Sequence, residues 1–255
     1  MDNQTQTQTI GQVLTSRTGD RHLSQTKLCK CGKLFEVTKL FAQITTIDLC
    51  PECEDKQREE YARQELRKAR MDRAARMRQS LSKVIPPLFA GAHLRSLSTA
   101  VKEALLSFDS KIGLVLFGPV GRGKSFALCA LARHFILKRK KVVRVSYEML
   151  CLQIRDTYKQ GSRLTELDVI RPMIDCDCLI IEDIGSTTSI GRNESDFSNR
   201  TIFVLLDSRL EACRPTFIST NKSRKNLEAS FDERIASRLG VFKWIGIGGE
   251  DKRKS

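Results

Sequence analysis

The sequence predicts an α/β fold, a parallel sheet flanked by helices, preceded by a small cysteine-rich module and a basic helix. Three observations predict it. The short apolar runs GLVLF (113–117), CLII (178–181) and PTFIST (215–220) are separated by stretches of helical composition, the alternation of buried parallel strands with crossover helices. The first run leads through a glycine-rich loop into a helix, and two close pairs of cysteines precede all of it.

A chain of 255 residues holds one full α/β domain and a small appendage. With 40% hydrophobic residues and 15 Gly, it sits in the globular range, which excludes global disorder. Lys+Arg 44 against Asp+Glu 30 gives a net charge of +14. That suits a polyanionic partner such as nucleic acid, although an ordinary basic protein has the same balance. No run reaches the ~18 consecutive apolar residues of a membrane span. Met1-Asp2-Asn3 lacks the basic and apolar regions of a secretory signal, so a cytoplasmic location with no membrane partner is expected. Nine Cys is an odd number in a chain too large to need disulfide staples, which favours reduced thiols, some of them on a metal.

In chain order, residues 1–26 carry the run QTQTQT and little apolar material, and read as a disordered arm. Residues 27–54 form a module around Cys29-x-Cys31 and Cys50-Pro51-Glu52-Cys53. Two turns that each donate a pair of thiols build a closed tetrahedral Zn²⁺ site, with free cysteines as the alternative. Metal binding would also let about thirty residues with a meagre core fold. Residues 55–84 contain no Gly or Pro and read as a helical linker with a weak apolar stripe, basic through Arg63, Arg67, Lys68, Arg70, Arg73, Arg76, Arg78 and Lys83. Ile85-Pro86-Pro87 ends that helix, and residues 85–255 make the α/β domain, with a helix over 125–138 and a strand over 141–147. Cys129, Cys151, Cys176, Cys178 and Cys213 fall in its helices and strands and read as core residues.

Gly118-Pro119-Val120-Gly121-Arg122-Gly123-Lys124-Ser125 fits G-x-x-x-x-G-K-[ST] between a strand and a helix. Glycines let successive N–H groups converge on the phosphates of ATP. Lys124 reaches the β/γ-phosphates, and the Ser125 hydroxyl ligates Mg²⁺. Glu182 and Asp183 end the CLII strand, where carboxylates hold Mg²⁺ and position water. Asn221 ends the PTFIST strand; its amide suits orientation of the attacking water, though strand-end Asn is also a common turn former. Arg234 and Arg238 stand four apart on one helix face, as an arginine finger or as a surface ion-pair helix. Residues 186–193, with Thr187, Thr188 and Arg192, read as a contact for single-stranded DNA or equally as a flexible surface loop.

These motifs in this order resemble the AAA+ ATPases of the DnaC/DnaI helicase-loader group, which includes the IstB-type transposition helpers. The likeness covers residues 84–240: Ile85-Pro86-Pro87 with Phe89, the phosphate loop, LIIEDIG, TFISTN and ERIASRL. It implies an adenine pocket beside Phe89, Asn221 as the sensor amide, Arg238 or else Arg234 as a finger acting in trans, and an oligomer formed on ATP binding. Only seventeen residues follow Arg238, so the C-terminal helical lid common in AAA+ proteins is expected to be lacking. The family's acidic pair usually begins with Asp, whereas here Glu182 takes the metal-side position and Asp183 the water-activating one. Slow ATP hydrolysis, used as a switch, is therefore expected. Leu88 also replaces a basic residue often found after the two prolines. The function implied is loading of a replicative DNA helicase onto single-stranded DNA. The alternatives are a transposition helper that binds duplex DNA and recruits a transposase, and a nucleotide-switched scaffold with no DNA role.

Overall fold

The computed structural model describes residues 23–39, 49–185 and 196–251. The chain divides into two compact units, Met1–Arg73 and Ala74–Ser255.

In the first unit, β1 (Leu23–Leu28) and β2 (Leu34–Lys39) form an antiparallel hairpin in which Leu28 pairs with Leu34. Its turn is closed by Gly32 N–H to Cys29 O at 2.9 Å and Cys29 N–H to Lys33 O at 2.9 Å, with Gly32 at φ +85°. β1 begins at Leu23, so residues 23–26, expected in a disordered arm, belong to the hairpin. The rest of that arm lies outside the described residues. α1 (Pro51–Val84) starts four residues earlier than the sequence suggested. Pro51 opens it, where a missing N–H costs nothing, and Glu52 and Glu54 favour the positive end of the helix dipole. Exposed pairs such as Arg58–Glu54 at 2.7 Å line its polar surface.

The second unit starts at Ala74 rather than at residue 85, because the last turns of α1 supply apolar side chains. Met77, Leu81 and Val84 pack in the same cluster as Ile85 and Ala92. Pro87 then starts a short 3₁₀ turn (Pro87–Phe89), and α2 (Thr99–Leu106) follows. The α/β core proceeds through β3 (Gly113–Phe117), α3 (Lys124–Leu137), β4 (Val142–Ser146), α4 (Tyr147–Thr157), α5 (Glu166–Asp175) and β5 (Cys178–Glu182). It continues with α6 (Asp196–Glu211), β6 (Thr216–Thr220), α7 (Arg224–Glu228), α8 (Glu233–Val241) and β7 (Lys243–Gly246). The strand expected over 141–147 stops at Ser146, whose hydroxyl accepts from Met149 N–H and so caps α4.

The five strands lie in the order β4-β5-β6-β3-β7, all parallel. Side-chain alternation divides them between two cores. Leu114, Leu116, Ile180 and Phe217 pack with Ala127, Leu128 and Leu131 of α3. Val115, Leu179, Ile181 and Ile218 pack with Leu150 of α4, Leu205 of α6 and Leu239 of α8. β5 and β6 are buried along their whole length, which explains their unbroken apolar runs. Cys129, Cys151, Cys176 and Cys178 are core residues as expected, but Cys213 is exposed, in the turn after α6 at φ +51°.

Arg209 of α6 is fully buried. Its Nε donates to Thr216 Oγ1 at 2.8 Å, Nη2 to Pro215 O at 2.8 Å, and Nη1 to the carbonyls of Met173, Ile174 and Cys176 at 2.6, 3.1 and 3.0 Å. One guanidinium thus satisfies the C-terminal carbonyls of α5 and anchors the start of β6. Arg209→Met should lower unfolding stability by about 3 kcal/mol or more, because the carbonyls stay buried without donors. Arg209→Lys should recover little, since an ammonium cannot fork across both segments. Urea denaturation followed by circular dichroism measures both, and a midpoint unchanged by the Met variant would contradict this account.

Candidate functional site

Parallel strands place all their C-terminal ends on one edge, and the candidate site is built there. Gly118–Ser125 bridges β3 and α3, with Gly118, Gly121 and Gly123 at φ +143°, +81° and +88°, the region that favours glycine. A Cβ on Gly118 would also overlap the Ile247 carbonyl. α3 opens after Gly123 with no side-chain cap, which leaves its first N–H groups for an anion. Lys124 is buried, and its ammonium donates to Gly118 O at 2.7 Å, Pro119 O at 2.9 Å and Asn221 Oδ1 at 2.7 Å. Two motifs 97 residues apart therefore meet at one cation.

A cleft of about 510 Å³ opens over the loop. Leu88, Phe89 and Val120 give it an apolar side; Lys124, Ser125, Asp183 and Asn221 give it a polar one. Phe89 meets Phe126 edge-on at 6.4 Å. The acidic pair divides in two directions. Asp183, at φ +57° and held by its N–H to Ser219 Oγ at 3.1 Å, faces the cleft. Glu182 is buried beside Ser125, paired through Oε2 with the Arg144 guanidinium, while its Oε1 is buried with no hydrogen-bond partner. Burial pushes the Glu182 carboxyl up, against the opposing pull of Arg144 and the Ser125 hydroxyl. The orphaned Oε1 and the Ser125 hydroxyl are hard oxygen donors, and that donor set fits Mg²⁺.

On α8, both arginines stack on Phe203, Arg238 at 4.4 Å and Arg234 at 4.9 Å from the ring centre. Arg238 donates from Nε and Nη2 to Asp207 at 2.7 and 2.6 Å, and Arg234 pairs with Asp232 at 2.9 Å. Neither lines the chain's own cleft.

In the first unit, the sulfurs of Cys29, Cys31, Cys50 and Cys53 lie within 4.8 Å of one another, and Cys31 and Cys50 are 3.6 Å apart. A tetrahedral zinc ion at ~2.3 Å from each sulfur needs a separation of roughly 3.8 Å, so the set fits. Backbone N–H groups of Cys31 and Cys50 bring the Cys29 thiol down to about 6, toward the thiolate a metal requires. The Cys53 thiol is pushed up to about 12 by hydrogen bonds with Cys31, Cys50 and Cys29. Leu28 and Leu34 are 68% and 67% exposed, and Cys29 and Cys50 are the buried residues of this unit among those described, so apolar burial does not hold the hairpin.

Residues 54–239 match the family described as IstB-like ATP binding protein, which is most of the chain and every nucleotide-site motif. The chain belongs to that family. The cysteine cluster lies just ahead of the matched region. The replicative helicase loader DnaC of Escherichia coli (strain K12) is 26% identical over 155 residues, 60% of each chain. The chain spans about three fifths of the length of the curated relatives it matches. A crystal structure of DnaI superposes with a TM-score of 0.54 at 18% identity, covering 69% of this chain and 100% of that one. The replication initiator DnaA bound to AMPPCP and single-stranded DNA superposes with a TM-score of 0.53 at 16% identity, covering 64% of this chain and 51% of that one. These likenesses place the core among AAA+ folds.

Thr187, Thr188 and Arg192 lie outside the described residues of this IstB-like chain. Sequence reasoning did not single out Arg144, Arg209, Phe203 or Asp207. A charged residue inside the strand-like run VVRVS was a signal for Arg144, since a buried strand seldom carries an unpaired charge. Lys124→Ala should abolish ATP binding measured by calorimetry without unfolding the chain. Equal affinity in the two proteins would overturn the assignment of the loop.

Proposed function

We propose that this protein is an AAA+ ATPase that loads a replicative DNA helicase onto single-stranded DNA. The observation that carries the reading is the meeting of Lys124, Asn221 and the Glu182-Asp183 pair at one sheet edge, in a chain whose sequence relatives are named helicase loaders. The loop amides and the α3 N-terminus bind the phosphates of ATP, with the adenine against Phe89 and Leu88. Lys124 donates to Gly118 O, Pro119 O and Asn221 Oδ1, and the negatively charged phosphate oxygens compete for the ammonium because they add a full charge–charge attraction. Ser125 and Glu182 hold Mg²⁺, which when bound neutralises charge on the β/γ-phosphates. Asp183 orients the attacking water and Asn221 reports on the γ-phosphate. Hydrolysis is slow, so the nucleotide works as a switch.

Arg238 completes the site of a neighbouring copy in an oligomer formed on ATP binding. Asp207 and Phe203 hold the guanidinium in place on its own chain. A net charge of +14 supports DNA binding, with Thr187, Thr188 and Arg192 as the contacts to single-stranded DNA. The cysteine module carries zinc and grips the helicase. A second reading, a transposition helper that recruits a transposase to duplex DNA, is favoured by the IstB-like family match.

Affinity purification from the native cell with mass spectrometry separates the two: a hexameric helicase is expected, and a transposase in its place would replace the loader reading. Cys50→Ser protein should lose one equivalent of zinc and the captured helicase together while still binding ATP. Metal analysis that finds no zinc in protein purified without chelator would contradict the module's role. Mixing Arg238→Ala with Lys124→Ala protein should restore part of the ATPase rate that each lacks alone, because mixed neighbours rebuild one intact site. Full activity of Arg238→Ala alone would pass the finger to Arg234.

A further inference from the structure

Arg144 stands inside β4, opposite Ile180 of β5 in the parallel register, and its guanidinium reaches Glu182 two residues further along β5. The side chains of the pair are 18% and 6% exposed. Arg144 Nε and Glu182 Oε1 are both buried with no hydrogen-bond partner. An exposed ion pair with such geometry would be a weak feature, but removing either partner here leaves an uncompensated charge in the sheet. Glu182 therefore reaches the nucleotide site with Oε2 engaged by Arg144, its charge balanced, and the Ser125 hydroxyl beside the carboxyl.

We propose that Arg144 is a positioning residue that sets the divalent-cation affinity of the nucleotide site by holding Oε2 of Glu182 and weakening the carboxylate as a metal ligand. The inference rests on the reading of Glu182 as the metal-side carboxylate. Two effects of the guanidinium oppose each other. It aims the carboxylate, which favours a metal, and it offsets the negative charge that a metal would use, which disfavours one. The second effect is the larger. Charge interactions with a divalent ion are strong in a partly desolvated site, whereas the terminal torsion it fixes moves in a broad, shallow well. The site thus stays free of divalent cation until a nucleotide adds its own phosphate oxygens, which couples metal binding to ATP. An aspartate at position 182 would draw the carboxylate one methylene away from the guanidinium, so the unusual Glu182 and the half-buried Arg144 work as a unit.

The test uses the full chain and a fluorescent, non-hydrolysable ATP analogue titrated with Mg²⁺, for the wild type, Arg144→Met and Glu182→Gln. The half-saturating Mg²⁺ concentration should fall about tenfold in Arg144→Met, the scale of effects from partners behind a metal ligand. Mn²⁺ without nucleotide should raise the melting temperature of Arg144→Met and leave that of the wild type unchanged. A half-saturating concentration equal to or above wild type in Arg144→Met, with Glu182→Gln clearly shifted, would overturn the role of Arg144 and keep Glu182 on the metal. No shift in Glu182→Gln would remove the metal-side assignment and this inference with it. If Arg144→Met does not fold, Arg144→Gln, neutral but still able to hydrogen-bond, should show the same fall.

Discussion

The parallel pairing of β3 with β6 is the constraint on which the nucleotide site depends. Register runs from Gly113 opposite Thr216 to Phe117 opposite Thr220, so the next residues, Gly118 and Asn221, leave the sheet side by side. That places the Asn221 amide within 2.7 Å of the Lys124 ammonium. The pairing begins at a point only glycine can occupy. A Cβ on Gly113 would overlap the Thr216 carbonyl, and its φ of +102° is itself a glycine conformation. Thr216 is also the residue that Arg209 grips through its hydroxyl, so the fold's buried arginine secures the strand that delivers Asn221.

Buried charge recurs through the second unit, and each instance has a different job. Arg209 is an internal cap for carbonyls, Lys124 draws the phosphate-loop carbonyls and Asn221 to one point, and Arg144 with Glu182 forms an ion pair at the end of β5. Buried ion pairs and buried cations add little net stability relative to apolar packing, because desolvation offsets their attraction. What they confer is definition. A slip of β4 against β5 would separate Arg144 from Glu182, and a displaced α6 would leave the end of α5 without donors. The same charges that shape the site thus oppose alternative registers of the sheet.

The cysteine unit follows another logic. Its strands keep Leu28 and Leu34 in solvent, and among its described residues the buried ones are Cys29 and Cys50. A short connection of two strands and one helix start cannot close a core, and four thiols drawn to one point replace it.

Much of this was legible in the sequence because the signals are local. The phosphate loop is a spacing of glycines, lysine and serine over eight residues, and the buried strands are unbroken apolar runs. The helix expected over residues 55–84 is a long stretch without breakers, and the cysteine pairs are close in sequence. Each is set by backbone geometry or side-chain period within a few residues of itself. The order β4-β5-β6-β3-β7 was not legible, nor was anything that follows from it: the 97-residue contact of Lys124 with Asn221, the pairing of Arg144 with Glu182, the hydrogen bonds of Arg209, or Asp207 and Phe203 beneath Arg238. Cys213 looked like core and is exposed, since the helix before it ends at Glu211. Composition states which residues are costly to bury, but only the packed sheet decides which distant group each one meets, because a charge takes whatever partner the strand order brings within hydrogen-bonding reach.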